Sequence, residues 1–251
     1  MKNKFTKLGY GLMLTGLLSL SSMTTKVWAQ EENKFSMDVT LNSDVFFGFY
    51  PFFAGSYSIS PKTSFTFYGI LWSGGTGASW GNWTEFGIGI SREVSEGVTV
   101  SPQIGLLNGS LTSGLGTPVL GEGIVPNLTI GVDKEKLESE IYVGYYYGLN
   151  HGNATTLNFL HYWANGGIKL SPMFSAGLHL EQLRFTGGSE TEPDAAYDYY
   201  LALGPYVQFA DPKGGAFARF TSGADLRNQA NVDKSEYRQP SFFKLTVGYS
   251  F

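Results

Sequence analysis

The chain is 251 residues long, has 33 glycines and no cysteine, and carries slightly more aromatic residues (16%) than charged ones (15%). The lack of thiols excludes a disulfide scaffold, an acylated N-terminal cysteine and thiolate metal or redox chemistry. Its net charge of −4 becomes −8 if Lys2, Lys4, Lys7 and Lys26 leave with the leader described next, which argues against nucleic acid or an anionic membrane surface as a partner.

The leader opens with Lys2, Lys4 and Lys7, followed by the 13-residue apolar core LGYGLMLTGLLSL (Leu8 to Leu20). Val27 and Ala29 hold the small-residue positions of a cleavage site. This reads as a secretory signal peptide over residues 1–29, cut after Ala29, with residues 30–251 as one mature domain. The core is too short to span a bilayer of roughly 30 Å as a helix, and no later stretch reaches the ~18 apolar residues required.

From there the sequence alternates with a period of two. Phe35, Met37, Val39 and Leu41 interleave with Ser36, Asp38, Thr40 and Asn42 in a first segment taken as Phe35 to Phe49. Then come YPFFAGSYSI, the turn SPKT, SFTFYGILW, the glycine-rich loop SGGTGASWGN, WTEFGIGIS, the turn VSEG, VTVSPQIGLL and the loop NGSLTSGLGTPV. The second half repeats the rhythm with EGIVPNLTIGV, DKEK, LESEIYVGYYYG, LNHGNATT, NFLHYWANGGIKL, SPM, FSAGLHLEQLRF, TGGSETEPDA, AYDYYLALGPYVQFA, DPKG, GAFARFTSGADL, RNQANVDKSEYRQP and the last strand FFKLTVGYSF.

That makes about twelve strands, joined alternately by short turns rich in Pro, Gly, Asp, Ser or Lys and by longer polar loops. Such asymmetry predicts an all-β transmembrane antiparallel up-and-down β-barrel in the outer membrane, with short periplasmic turns and longer extracellular loops. Unpaired backbone amides cost several kcal/mol each in hydrocarbon, so a sheet in lipid must close on itself. A soluble β-sandwich accounts for the alternation but not for the leader or the regular exchange of short and long connections.

In the last strand, Phe243, Leu245, Val247, Tyr249 and Phe251 are expected to face lipid, with Lys244 and Thr246 inward. This apolar row ending in phenylalanine resembles the C-terminal insertion signal that outer-membrane assembly machinery reads in bacterial porins. The same alternation places Asp38, Asn42, Glu85, Gln103, Asn127, Glu138, Glu140, His161, Asn165, Lys169, His179, Glu181, Arg219 and Lys244 in the lumen. Pairing across SPM sets Asn165 opposite His179 and Trp163 opposite Glu181, and a Lys169–Glu138 ion pair is expected near the periplasmic end. Mixed charges of this kind suit a selectivity filter, or else a plugged interior in which acids and bases neutralise one another. The runs FFGFYPFF (Phe46 to Phe53) and WGNW (Trp80 to Trp83) read as an interfacial aromatic girdle, with a ligand-stacking surface as the alternative.

No catalytic set emerges. In HYWANGG (His161 to Gly167), Ala164 stands where a serine nucleophile would be sought. His151, His161 and His179 form no HExxH arrangement, so neither a metal nor a cofactor is expected.

The stretches LNSDVFFGFYPF, FYGILWSGGTGASWGNWTEFGIG, PQIGLLNG, EGIVPNLTIGV and NFLHYWANGGIKLSPMFSAGLHLEQLRFTGG resemble an uncharacterised family of bacterial outer-membrane barrel proteins, classed as a domain of unknown function. That resemblance implies the barrel fold and brings no functional residues. The size and strand number also loosely resemble small porin-like channels of twelve strands. The expected function is therefore a non-enzymatic, narrow channel for passive diffusion of small hydrophilic solutes. The alternative is a closed structural or surface-binding barrel that works through its outer loops, notably Asn108 to Val119 and Arg227 to Pro240; a lipid-modifying enzyme is a third possibility.

Overall fold

A computed structural model describes residues 34–73, 82–113, 118–149, 155–189, 196–213, 215–235, 238 and 240–251. The expected signal peptide lies outside these residues, as does Trp80. Twelve strands follow one another in the chain: β1 (Phe35–Asp44), β2 (Gly48–Ser60), β3 (Thr63–Ser73), β4 (Asn82–Ser95), β5 (Val98–Gly109) and β6 (Val119–Asp133). They continue as β7 (Leu137–Gly148), β8 (Leu157–Lys169), β9 (Phe174–Gly188), β10 (Tyr197–Ala210), β11 (Ala216–Asp225) and β12 (Ser241–Ser250). Each pairs with its neighbours in sequence, and β12 returns to β1 to close the barrel. The closing register runs from Asp38↔Ser250 to Asp44↔Lys244, so the alternating terminal strand supplies the last seam.

Side chains sort by parity. On β4, Phe86 (47% exposed), Ile88 (55%) and Ile90 (50%) point out, while Trp83 and Glu85 are buried inside. On β7 the exposed row is Ile141, Val143, Tyr145 and Tyr147, and the buried row includes Tyr142 and Tyr146. Phe243, Leu245, Val247, Tyr249 and Phe251 are all exposed on the outer face of β12.

The connections at one end are short: residues 61–62, 96–97, 134–136, 170–173 and 211–215. This is called the turn end below, and the opposite end the loop end. Two local features depart from the sequence reading. The first hairpin turns at residues 45–47, within the stretch read as one strand, because the carboxylate Oδ1 of Asp44 accepts the amides of Phe46 (2.9 Å) and Phe47 (2.6 Å). Gly48 follows at φ 72°, a conformation that a side chain disfavours. The long β11–β12 connection contains a short helix, α1 (Gln229–Ser235), where only loop was expected. Asn228 caps it by accepting the Asn231 amide at 2.9 Å.

Three outward-facing prolines interrupt the ladders. The β4–β5 pairing passes from Gly89↔Gln103 directly to Arg92↔Val100 at Pro102. The β6–β7 pairing passes from Ile124↔Tyr147 to Asn127↔Gly144 at Pro126, and the β10–β11 pairing from Leu203↔Ala224 to Tyr206↔Thr221 at Pro205. Proline has no N–H to donate, so each seam loses a ladder bond there. The carbonyls of Ile90, Tyr145 and Ser222, which face the three prolines, lose that donor, and the amides of the same three residues are left as the remaining bonds across each gap. Hydrogen exchange on the folded barrel should show the Ile90, Tyr145 and Ser222 amides exchanging faster than strand amides two rows away; uniform protection along these strands would contradict the seam assignment.

Candidate functional site in the barrel lumen

The lumen has three layers. Towards the loop end it is filled by apolar and aromatic side chains converging from every side. Phe46 and Phe47 come from the first turn, Tyr50, Trp72, Trp83, Leu107 and Val125 from β2 to β6, and Tyr146, Phe159, Leu183, Tyr200 and Phe242 from the remaining wall. Tyr50 stacks on Trp72 at 4.6 Å, Trp72 on Trp83 at 5.8 Å, and Phe46 meets Tyr200 at 4.6 Å between ring centroids. Burial of one large apolar side chain is worth about 1.5–3 kcal/mol, so a dozen of them form a core. The space left among Phe47, Trp72, Trp83, Leu111, Tyr146, Phe159, His161 and Leu183 is about 10 Å³, room for one water at most.

Leu111 reaches this layer on the β5–β6 connection. Glu122, fully buried, accepts the amides of Leu111 (3.0 Å), Thr112 (2.8 Å) and Ser113 (3.0 Å) with its two carboxylate oxygens. Thr112 also accepts the Leu157 amide through its carbonyl at 2.8 Å, which ties the segment to β8.

The middle layer is polar and dry. Glu181, 1% exposed, receives hydrogen bonds from His161 (3.0 Å), His179 (3.0 Å), Tyr200 (2.7 Å) and Lys244 (3.0 Å), drawn from β8, β9, β10 and β12. His179 uses its other ring nitrogen on Asn165 at 2.6 Å, and its ring lies parallel to Phe242. Asp44 stands beside Lys244 in the β1–β12 register. On the opposite wall Tyr68 donates to buried Glu85 at 2.6 Å and accepts from Asn127 at 2.8 Å. Gly105 makes room for that pair: a Cβ there would lie 2.5 Å from the Tyr68 hydroxyl and 2.8 Å from Glu85.

Near the turn end the charged side chains Glu138, Glu140, Lys169 and Arg219 are half-exposed among buried partners. Glu140 accepts the Trp163 indole N–H at 2.7 Å, and Trp163 stacks on Tyr142 at 3.9 Å. Glu138 accepts from Ser175 (2.7 Å), Tyr206 (2.7 Å) and Gln208 (3.1 Å). Arg219 donates to Gln208 at 2.8 Å and lies over the Tyr206 ring. Gln103 donates to Thr66 at 2.9 Å, Asn42 accepts from Thr246 at 2.8 Å, and Asp38 is half-buried near the rim.

Asn165 does lie opposite His179, and Trp163 opposite Glu181. The expected Lys169–Glu138 pair does not form: Lys169 bonds to Asp133 instead. Glu138 sits opposite Gly167, two positions in from Lys169, and its carboxylate is already occupied by Ser175, Tyr206 and Gln208 across the lumen. The girdle reading of FFGFYPFF also needs correction, because Phe46, Phe47 and Tyr50 are buried inside while Phe49 faces out. A signal was available there: the run is apolar at both parities, which a strand between lipid and a polar lumen would not show. Glu122 was not foreseen, since nothing in its neighbourhood marks a carboxylate as a backbone anchor.

Because Glu181 gathers four donors in a dry layer, Glu181→Gln should cost about 3 kcal/mol or more of stability by leaving Lys244 short of its counter-charge. Urea unfolding of the barrel in lipid vesicles measures this; a loss below about 1 kcal/mol would mean the four contacts are incidental.

Solved structures of similar fold include the KdgM porin, 14% identical over 86% of this chain and 99% of that one, with a TM-score of 0.47. The COG4313 outer membrane channel from Pseudomonas putida F1 is 12% identical over 86% of this chain and 94% of that one, at a TM-score of 0.47. No curated protein matches the sequence. The family profile that matches residues 1–251 is that of DUF6733, and the chain belongs to this family of unknown function.

Proposed function

We propose that this porin-like barrel is an outer-membrane protein whose lumen is shut at the loop end, and that it works as a closed barrel through its loop face. The observation that carries this reading is the aromatic layer. Most of its members sit on strands of facing walls, so no single loop movement clears the passage. The outward apolar rows suit hydrocarbon, and residues 1–29 supply the export signal. The lipid bilayer is the first partner, and the assembly machinery recognises the row Phe243, Leu245, Val247, Tyr249 and Phe251 during insertion. The negative charge gives nucleic acid nothing to bind.

Planar-bilayer recording of folded residues 30–251 tests the proposal. Silence is expected from protein shown to be inserted; steady, salt-dependent steps would overturn the closed reading.

A second reading, a passive channel for small hydrophilic solutes, is favoured by the half-exposed charges near the turn end: Glu138, Glu140, Lys169 and Arg219. It requires the aromatic layer to part. Under that reading, Glu138→Gln combined with Glu140→Gln should shift the reversal potential in a salt gradient towards anion preference. An unchanged potential in a conducting barrel would remove both residues from the pathway.

A further inference from the structure

The aromatic layer has one feature that a purely structural core does not need. Trp83 is 4% exposed and borders the remaining void, and its indole N–H has no acceptor among the described residues, as is also true of the neighbouring Trp72. A buried indole normally satisfies its N–H, because an unmade hydrogen bond in a dry site carries the full desolvation cost. The other strand-borne walls of the void are Trp72, Tyr146, Phe159, His161 and Leu183, all apolar or aromatic except His161.

The two remaining apolar members differ in kind. Phe47 and Leu111 sit on connections, not on strands, and each connection is held by a carboxylate that captures backbone amides: Asp44 for Phe46 and Phe47, Glu122 for Leu111 to Ser113. Strand side chains cannot leave the lumen without breaking ladders. Phe47 can leave by releasing the two amide bonds to Asp44, and Leu111 by releasing three to Glu122 together with the Thr112 bonds to the Leu157 amide and the Glu122 carbonyl; both lie on the loop-end side. Their departure would vacate the volume of two large side chains beside the unpartnered donor.

We infer that the loop-end chamber is a binding site for a small apolar molecule carrying a hydrogen-bond acceptor, such as an aromatic ketone, which displaces Leu111 and is held by the Trp83 N–H. The segment Leu111–Ser113 acts as the strap over this site and Glu122 as its latch. The acceptor is needed to satisfy the Trp83 N–H, which makes no bond within the wall; the apolar body is needed because the surrounding surface is mostly aromatic. The inference rests on the closed-barrel reading and gives that barrel a ligand class.

Fluorine NMR of folded residues 30–251 in detergent tests it, with 4-fluoroacetophenone as probe and 4-fluoro-isopropylbenzene as the same shape without the acceptor. Saturable binding of the ketone, tighter than that of the hydrocarbon, is expected. Trp83→Phe should weaken the ketone about 2- to 12-fold, the worth of one net hydrogen bond, and leave the hydrocarbon unchanged. Leu111→Trp, which fills the chamber, should abolish saturable binding of both; Leu111→Phe serves if that variant lacks the heat-sensitive gel mobility of a folded barrel. Glu122→Gln should speed exchange of bound ketone. Linear partitioning that is the same with and without the Leu111 substitution would overturn the site, as would equal affinity for the two probes. Bilayer recording of the same samples separates the failures: no saturable binding in a silent barrel sinks only the ligand site, whereas conduction sinks the closed reading beneath it.

Discussion

A sheet that closes on itself has two faces and no edge, and each strand must serve both faces with alternate residues. Everything else in this barrel follows from how the inner half of that alternation is filled. With twelve strands the lumen falls between the small barrels that side chains fill and the large ones that hold water. Here the chain fills the loop-end half with rings and leaves the turn-end half to solvated polar groups. The two halves meet at Glu181, whose carboxylate draws four strands together in a layer where an unpaired charge would be costly.

Two other carboxylates work on the backbone. Asp44 and Glu122 each bind consecutive amides of a connection, which turns loop segments inward and delivers Phe46, Phe47 and Leu111 to the aromatic layer. Anionic acceptors make stronger hydrogen bonds to backbone N–H groups than neutral ones do, and a buried segment must satisfy its amides somehow. The closure of the loop end is thus partly built from pieces that the strands do not hold. The filling combines a fixed wall of strand side chains with three side chains tethered on two connections.

The parity of most inward residues was legible from sequence because a strand's period is two and glycine, proline and polar turns mark its ends. His161, Asn165, His179 and Glu181 fall in one middle layer for that reason, and their facing partners follow from the short SPM turn. Lys169 was assigned to Glu138 because both lie near the same end, but neighbourhood along a wall does not say which acceptor a long side chain reaches across the lumen. The first turn was misplaced because its central residues, Val45, Phe46 and Phe47, are apolar and read as strand, although Asp44 and Gly48 flank them. Phe46, Phe47 and Tyr50 were assigned to an interfacial girdle because aromatic residues suit that position equally well by composition.

What the sequence by itself determined is the strand number, the alternation of faces and the closed antiparallel plan, since each is set by local periodicity and by turn chemistry within a few residues. What only the tertiary structure decided is the content of the lumen. Whether inward rings from opposite walls meet, which carboxylate gathers which donors, and where Glu122 sends its two oxygens depend on distances across the barrel. Those distances are fixed by strand register and closure, which couple residues far apart in the chain, such as Lys244 and Glu181.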